Sequence, residues 1–332
     1  MLIIADAHIP FLVEAVRNEW PQVTIIPMKP EEIDASAVRD ADVLVVRTRT
    51  KVNEALLAGS RVRLVCTATI GFDHIDTAYC DAQHIRWMSC PGCNARAVCD
   101  YIEEALDETV SSHIIPFHSL SNLTIGIVGV GHVGTKVAEM AERKGYKVLL
   151  NDPPKGIGVS LDEIARNSDI VTFHVPLTGV QNTDSSAQTL YPTYHLCDER
   201  FLDKCRPHAL IINAARGGVV DEKALMRSGH PYIFDTWEDE PSINPEVLQH
   251  AFRASMHIAG YSVEGKRNAS QMCLDSIAEA FGLSKIDISS YRYNGRTNIA
   301  EHSHGPWLAA VTAELKADPA SFESLRKNYP LR

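Results

Sequence analysis

Residues 123–134 read LTIGIVGVGHVG, an apolar run, a cluster of glycines and the opening of a segment with helical spacing. Gly129, Gly131 and Gly134 stand in Gly-x-Gly-x-x-Gly register. That spacing alone is common. Placed directly after a buried strand and directly before a helix, it describes a dinucleotide-binding turn. The first glycine permits the tight turn, the second lets main chain approach a pyrophosphate, and the third lets helix and strand pack closely. The helix start at His132 and Val133 then offers free N–H groups and a partial positive charge to phosphate. The next apolar run, KVLLND, ends at Asp152, close to the ~20-residue spacing at which a carboxylate meets a ribose diol. A carboxylate there repels a 2′-phosphate, so the expected cofactor is NAD rather than NADP. Lys155 nearby is the one feature against it.

To either side of this turn, apolar and β-branched runs alternate with amphipathic segments such as VGTKVAEMAERKG and SLDEIARNS. The first block holds LIIAD, VTIIP, DVLVVRT, RLVCTAT and IRWMS. The second holds LTIGIVG, KVLLND, DIVTFHVP, ALIINAA, YIFDTW and ASMHIAG. Such near-continuous apolar runs suit strands buried on both faces, and strand–helix alternation suits parallel sheets covered by helices. The expected fold is α/β, with two Rossmann-like, doubly wound parallel-sheet domains. Residues 1–93 with a returning helix at 270–283 form one domain. Residues 94–269 form the NAD-binding domain, entered by a crossover helix at 94–113. Residues 284–332 have a more polar texture.

A chain of 332 residues is long enough for two cores, and 45% hydrophobic with 22% charged residues is a globular balance. A net charge of -10 opposes a nucleic-acid footprint but leaves room for a small anion in a local basic pocket. The start, MLIIADAHIP, meets an acid and a proline with no basic leader, which predicts neither a signal peptide nor a membrane span and favours the cytoplasm. Eight cysteines without a framework pattern predict reduced thiols. Cys90 and Cys93 in CPGCN are spaced for zinc or redox chemistry, yet no second such pair exists. A turn opening a helix, with no metal, is expected.

Three residues follow apolar runs of the second block, where an open parallel sheet places its ligand crevice. They are Arg216 in NAARGGVVDE, Glu240 in WEDEP and His257 in SMHIAGYS. A lone histidine between Met256 and Ile258 suits a core position. With the other two it completes a set for oxidising a hydroxyl carbon: an imidazole to take the proton, a carboxylate to hold the imidazole, and a guanidinium to fork a substrate carboxylate.

With VGVGHVG, NAARGGVVDE, DTWEDEP and HIAGYS in place, the chain resembles the D-isomer-specific 2-hydroxyacid dehydrogenase family up to about residue 283. The resemblance implies catalytic roles for Arg216, for Glu240 (the glutamate before proline, rather than Glu238) and for His257. Further stretches, ADAHIP, VRTRTKVNEALLAG, CTATIGFDHID, PGCNARAV, DPP, HIAGYSVEGK and LRKNY, resemble one branch of that family. That branch implies NAD-dependent oxidation of 4-phospho-D-erythronate in vitamin B6 biosynthesis, and a homodimer paired through residues 284–332. It implies that Thr48, Thr69 and Tyr261 touch substrate, and that Asp152, Asp235 and Gly260 touch NAD. Arg47, at a strand end, is the candidate cation for the phosphate.

Several features depart from the family pattern. Val175 stands where relatives often carry threonine, so a cofactor contact there must use main chain. Thr236 replaces a usual valine. The crossover helix is unusually acidic, with Glu103, Glu104, Asp107 and Glu108, and the tail is short for a pairing domain. Two other readings share the motifs: a dehydrogenase of another D-2-hydroxy acid such as 3-phosphoglycerate, and an NAD-sensing scaffold without activity.

Overall fold

The central apolar runs fold as strands covered on both faces, because alternate side chains of each strand point into different cores, whereas the edge run VTIIP leaves Ile26 42% exposed. In the computed structural model, which describes residues 1–112, 123–179, 190–297 and 307–332, the chain divides into two units. The first comprises Met1–Asn94 and Tyr261–Thr297; the second comprises Ala95–Gly260 and the described part of Asn298–Arg332.

The first unit's strands are β1 (Leu2–Asp6), β2 (Thr24–Met28), β3 (Val43–Val46), β4 (Leu64–Thr67) and β5 (Arg86–Met88). They run parallel in the order β2-β1-β3-β4-β5. Ile3, Ala5, Val43 and Val45 pack with Leu12, Val16, Leu274 and Ile277 on one face. Ile4, Leu44 and Val46 pack with Val38, Leu56 and Leu57 on the other. The helix expected from residue 270 starts earlier and spans Val263–Phe281. Its N-cap is Ser262, whose hydroxyl accepts the Gly265 N–H at 2.9 Å and satisfies an end donor.

The second unit's strands are β6 (Thr124–Val128), β7 (Lys147–Asp152), β8 (Ile157–Gly158), β9 (Ile170–Phe173), β10 (Leu210–Asn213), β11 (Tyr232–Phe234) and β12 (Arg253–Ala254). Their order is β12-β11-β10-β9-β6-β7-β8. All pairs are parallel except β7 with β8. That antiparallel edge departs from the all-parallel expectation. Pro153 and Pro154 open a short turn after β7, Gly156 at φ 65 closes it, and the chain doubles back. At the opposite edge β12 is covered by the helix Trp307–Ala317, where Thr312 Oγ1 accepts the Ala254 N–H at 2.9 Å. Covering an edge strand this way occupies groups that would otherwise pair with another chain. No helix among the described residues is long and apolar enough to cross a membrane.

Candidate active site

In the second sheet, chain order reverses between β6 and β9, and the loops after these two strands flank a switch-point crevice. Gly129 has φ 91, and a Cβ there would lie 2.7 Å from the His174 carbonyl oxygen. A Cβ on Gly134 would lie 2.0 Å from the Gly129 oxygen, so both positions exclude a side chain. A Cβ on Gly131 would meet nothing within 4 Å, so main chain there borders open space. Gly131 caps the helix His132–Arg143 without a side-chain bond, leaving the first N–H groups, at His132 and Val133, for a ligand. Val175 lies beside this turn after β9.

Asp152 ends β7, and its Oδ2 accepts the Val130 N–H at 2.9 Å. Lys155 Nζ lies 3.6 Å from the same oxygen and donates to the Val130 carbonyl at 2.6 Å. Oδ1 has no partner among the described residues and suits a ribose hydroxyl. Glycine cradle, open helix end and carboxylate together fit a dinucleotide.

His257 Nδ1 lies 2.8 Å from Glu240 Oε2. A carboxylate only accepts, so Nδ1 carries a proton, and in the neutral ring Nε2 keeps its lone pair. Nε2 has no hydrogen-bond partner among the described residues, and the side chain is 31% exposed. The other Glu240 oxygen accepts the Trp237 N–H at 2.9 Å. Burial pushes the Glu240 carboxyl up, but the His257 bond and charge, the Trp237 N–H and Arg326 outweigh it and hold it below the usual range. His257 itself sits at φ 60, unusual for a side-chain-bearing residue.

Asp235 explains how that backbone is held. Its Oδ1 accepts Ser255 Oγ at 2.6 Å and the Ile258 N–H at 2.7 Å, and its Oδ2 accepts the Ala259 N–H at 2.9 Å. Its own carbonyl accepts the His257 N–H at 2.8 Å. The residue is 1% exposed, and both carboxylate oxygens are engaged by the turn that carries His257. Gly260 follows that turn as the last residue of the unit's first segment.

Arg216 follows β10 in a turn braced by buried Asn213. The Asn213 amide donates to the Arg216 carbonyl at 2.9 Å, and its oxygen accepts the Ala215 N–H at 3.1 Å. A Cβ on the next residue, Gly217, would lie 1.8 Å from the Trp237 oxygen. The turns carrying Arg216 and Glu240 therefore pack main chain to main chain. Glu238, the other glutamate of that loop, goes to a different histidine: His195 Nε2 lies 2.5 Å from its Oε1. The Glu238 N–H is accepted by buried Glu222 at 2.8 Å. Burial, together with the acids Glu238, Asp239 and Glu240, pushes the Glu222 carboxyl up to about 7.

The first unit carries the remaining residues singled out in the sequence. Its strand order reverses between β1 and β3, and buried Asp6 stands at the end of β1. Asp6 Oδ2 accepts Arg47 Nε at 2.9 Å, and Oδ1 accepts the His8 N–H at 2.8 Å with His8 Nδ1 at 3.0 Å. Burial pushes Asp6 up, but the Arg47 charge and these bonds win and hold it below the usual carboxylate range. Thr48 is exposed. The Thr69 hydroxyl donates to the Gly71 carbonyl at 2.9 Å and meets Thr67 Oγ1 at 2.6 Å, with His74 Nε2 behind at 3.0 Å. Tyr261 lies under Lys266, whose Nζ is 5.0 Å from the ring centroid.

Asp6, His8, Asn213, His195 and Glu222 escaped the reading of the sequence. ADAH and NAAR were visible, but the Arg47 partner of Asp6 stands 41 residues away, and no spacing shows that the Asn213 side chain folds back onto Arg216. Cys90 and Cys93 are buried free thiols, and burial pushes Cys93 up to about 12. Among the described residues no group of three or more potential ligands is placed to hold a metal ion.

Residues 94–259 match the family described as D-isomer specific 2-hydroxyacid dehydrogenase, NAD binding domain. Over its whole length the chain is 39% identical to an erythronate-4-phosphate dehydrogenase of Bacteroides fragilis, covering 97% of that protein. It is 34% identical to one of Ruthia magnifica subsp. Calyptogena magnifica, covering 95%. Among solved structures, 3-phosphoglycerate dehydrogenase of Entamoeba histolytica with NAD+ bound is similar at TM-score 0.68 and 25% identity, over 87% of this chain and 98% of that one. D-lactate dehydrogenase of Aquifex aeolicus, complexed with NAD and lactic acid, shares the fold at TM-score 0.63 and 23% identity, over 85% of this chain and 96% of that one.

Proposed function

The chain belongs to the D-isomer specific 2-hydroxyacid dehydrogenase family and is an NAD-dependent dehydrogenase; from that premise we propose that it oxidises the C2 hydroxyl of 4-phospho-D-erythronate to 2-oxo-3-hydroxy-4-phosphobutanoate, a step of pyridoxal phosphate biosynthesis. The observation that carries this reading is the His257–Glu240 pair at 2.8 Å, held in the same unit as the dinucleotide cradle. It is supported by full-length relatives named for that substrate.

His257 Nε2 is the general base and takes the hydroxyl proton. Glu240 holds the ring by Nδ1 and stabilises the imidazolium as it forms. Arg216 forks the substrate carboxylate and polarises the carbonyl developing beside it. Bound NAD supplies the hydride acceptor. The second unit, at the cradle of Gly129, Gly131, Gly134 and Asp152, is assigned to NAD, and the first to substrate. Arg47, Thr48, Thr69 and Tyr261 are assigned to substrate and Val175, Asp235 and Gly260 to the cofactor side. Arg47 is proposed for the 4-phosphate. Asp6 already orients its guanidinium through Nε, leaving the two terminal nitrogens for phosphate oxygens. A cytoplasmic homodimer, paired through the C-terminal region, completes the proposal; sedimentation equilibrium tests the dimer.

The test of the activity is nicotinamide absorbance on mixing protein, NAD and 4-phosphoerythronate, with a 2-oxo acid as acceptor and 3-phosphoglycerate as the competing substrate. Turnover on 3-phosphoglycerate alone would overturn the substrate. Arg47→Ala is expected to weaken 4-phosphoerythronate by ~10- to 100-fold while sparing unphosphorylated erythronate, as the loss of a charge-assisted contact requires.

A further inference from the structure

The chain passes between its two units three times, at Asn94–Ala95, at Gly260–Tyr261 and at Thr297–Asn298. On the second unit's side, one guanidinium holds main chain next to the first two crossings. Arg332 Nη2 donates to the Ala97 carbonyl at 3.1 Å and also to the Ala259 carbonyl. The side chain is 10% exposed. Its guanidinium lies 5.3 Å from the Trp307 ring centroid and 5.9 Å from that of Tyr101. Nη1 lies 3.7 Å from Glu104 Oε2, the same oxygen that accepts the Trp307 indole N–H. A guanidinium is costly to bury unless its charge and donors are met, and here two carbonyls, a carboxylate and two ring faces meet them.

Ala259 lies two residues beyond His257. Its N–H goes to Asp235 and its carbonyl to Arg332, so the turn is gripped from both sides. That matters because His257 sits at φ 60, a conformation a non-glycine residue keeps only when its surroundings enforce it. The helix that presents Ala97, Ala95–Ser111, is tied to the same network. Its Tyr101 hydroxyl meets Ser255 Oγ at 2.9 Å, and Ser255 Oγ donates to Asp235.

We propose that Arg332 is a positioning residue for His257, clasping the turn that carries the imidazole to the N-terminal end of the helix Ala95–Ser111. It presents Nε2 at a fixed place for proton transfer and touches neither substrate nor cofactor. Both carbonyls converge on one nitrogen, Nη2, while Nη1 of the same planar group faces Glu104 and the plane lies near two rings. A lysine ammonium could reach the carbonyls but would lose the second nitrogen's contact and the planar group beside the rings. The inference rests on His257 being the base, as proposed above.

The experiment compares Arg332→Ala, Arg332→Lys and His257→Asn in the full chain, with NAD and 4-phosphoerythronate. For Arg332→Ala, kcat is expected to fall ~10- to 100-fold, the usual scale for a misplaced catalytic group, while the NAD dissociation constant stays within about twofold. With C2-deuterated substrate, the primary isotope effect on kcat should rise as the chemical step becomes limiting. Methylguanidinium should restore part of the lost rate. Arg332→Lys should fall between parent and Ala variant, and it carries the test by itself if the Ala variant does not fold. Parent-like turnover with an unchanged isotope effect in the Lys and Ala variants would overturn the clasp. So would parallel loss of turnover and NAD binding without rescue, which would mean a scaffold residue only. Parent-like turnover in His257→Asn would instead sink the base assignment, whatever the Arg332 variants do.

Discussion

Asp235→Asn removes one oxygen from a carboxylate that holds the His257 turn at three points, and the structure says which point fails. With the amide oxygen in place of Oδ1, Ser255 Oγ and the Ile258 N–H keep their acceptor at 2.6 and 2.7 Å. The amide nitrogen then replaces Oδ2 and faces the Ala259 N–H at 2.9 Å, donor against donor. One hydrogen bond to a charged acceptor is lost, at ~1.5–3 kcal/mol, and a buried N–H is left unmet, at ~1–3 kcal/mol. A cost of about 3 kcal/mol is expected, or ~6–12 °C at the 2–4 °C per kcal/mol of a domain this size. Turnover should fall ~10²-fold, because the Ala259 peptide sits two residues from the base and small displacements of a base are expensive. Ser255→Ala is the control for turnover: it removes a donor to Asp235 and the partner of the buried Tyr101 hydroxyl, at ~2–4 kcal/mol, but leaves both main-chain bonds of the turn, so turnover should stay near the parent's. Calorimetric melting and nicotinamide absorbance at saturating substrate read the two effects. An Asn variant as stable and as active as the parent would refute the idea that this carboxylate works by holding the turn.

Asp152→Ala should weaken NAD by ~10-fold or more while leaving NADP little changed, since a ribose diol loses its acceptor and a 2′-phosphate loses a repulsive neighbour; fluorescence titration with both nucleotides checks it. Glu222 is raised from 4.5 to about 7, so between those values the folded chain holds a proton that the unfolded chain has lost. Its contribution is therefore present at low pH and falls as pH rises through that window. Glu222→Gln keeps an acceptor for the Glu238 N–H and cannot ionise, so its melting temperature should exceed the parent's at pH 8 and match it near pH 4.5. Buried Thr236 has an Oγ1 without a partner among the described residues, and Thr236→Val should stabilise by ~1 kcal/mol, measured by denaturant melting.

The α/β class and the dinucleotide turn were legible in the sequence, and Arg216, Glu240 and His257 could be singled out as candidates, because each rests on a local pattern. The glycine spacing of 129, 131 and 134 is itself the geometry of a tight turn. An apolar run without alternation already says that both faces of a strand are covered. The choice of Glu240 over Glu238 rested only on the resemblance, and the pairing of Glu238 with His195 was not legible at all. The fold decides it physically, by delivering Glu240 to His257 and Glu238 to His195 across 17 and 43 residues. The surplus of acid on the crossover helix had no local explanation at all. In the tertiary structure Glu108 accepts Arg253 at 2.7 Å and the Leu308 N–H at 2.9 Å, and Asp107 accepts Lys144 at 2.6 Å. Glu104 takes the Trp307 indole and stands beside Arg332. Helical periodicity tells which side chains share a face, but a hydrogen bond needs its partner within ~3 Å. Partners separated by 145, 200 or 203 residues meet only when the sheet and its covering helices have been assembled.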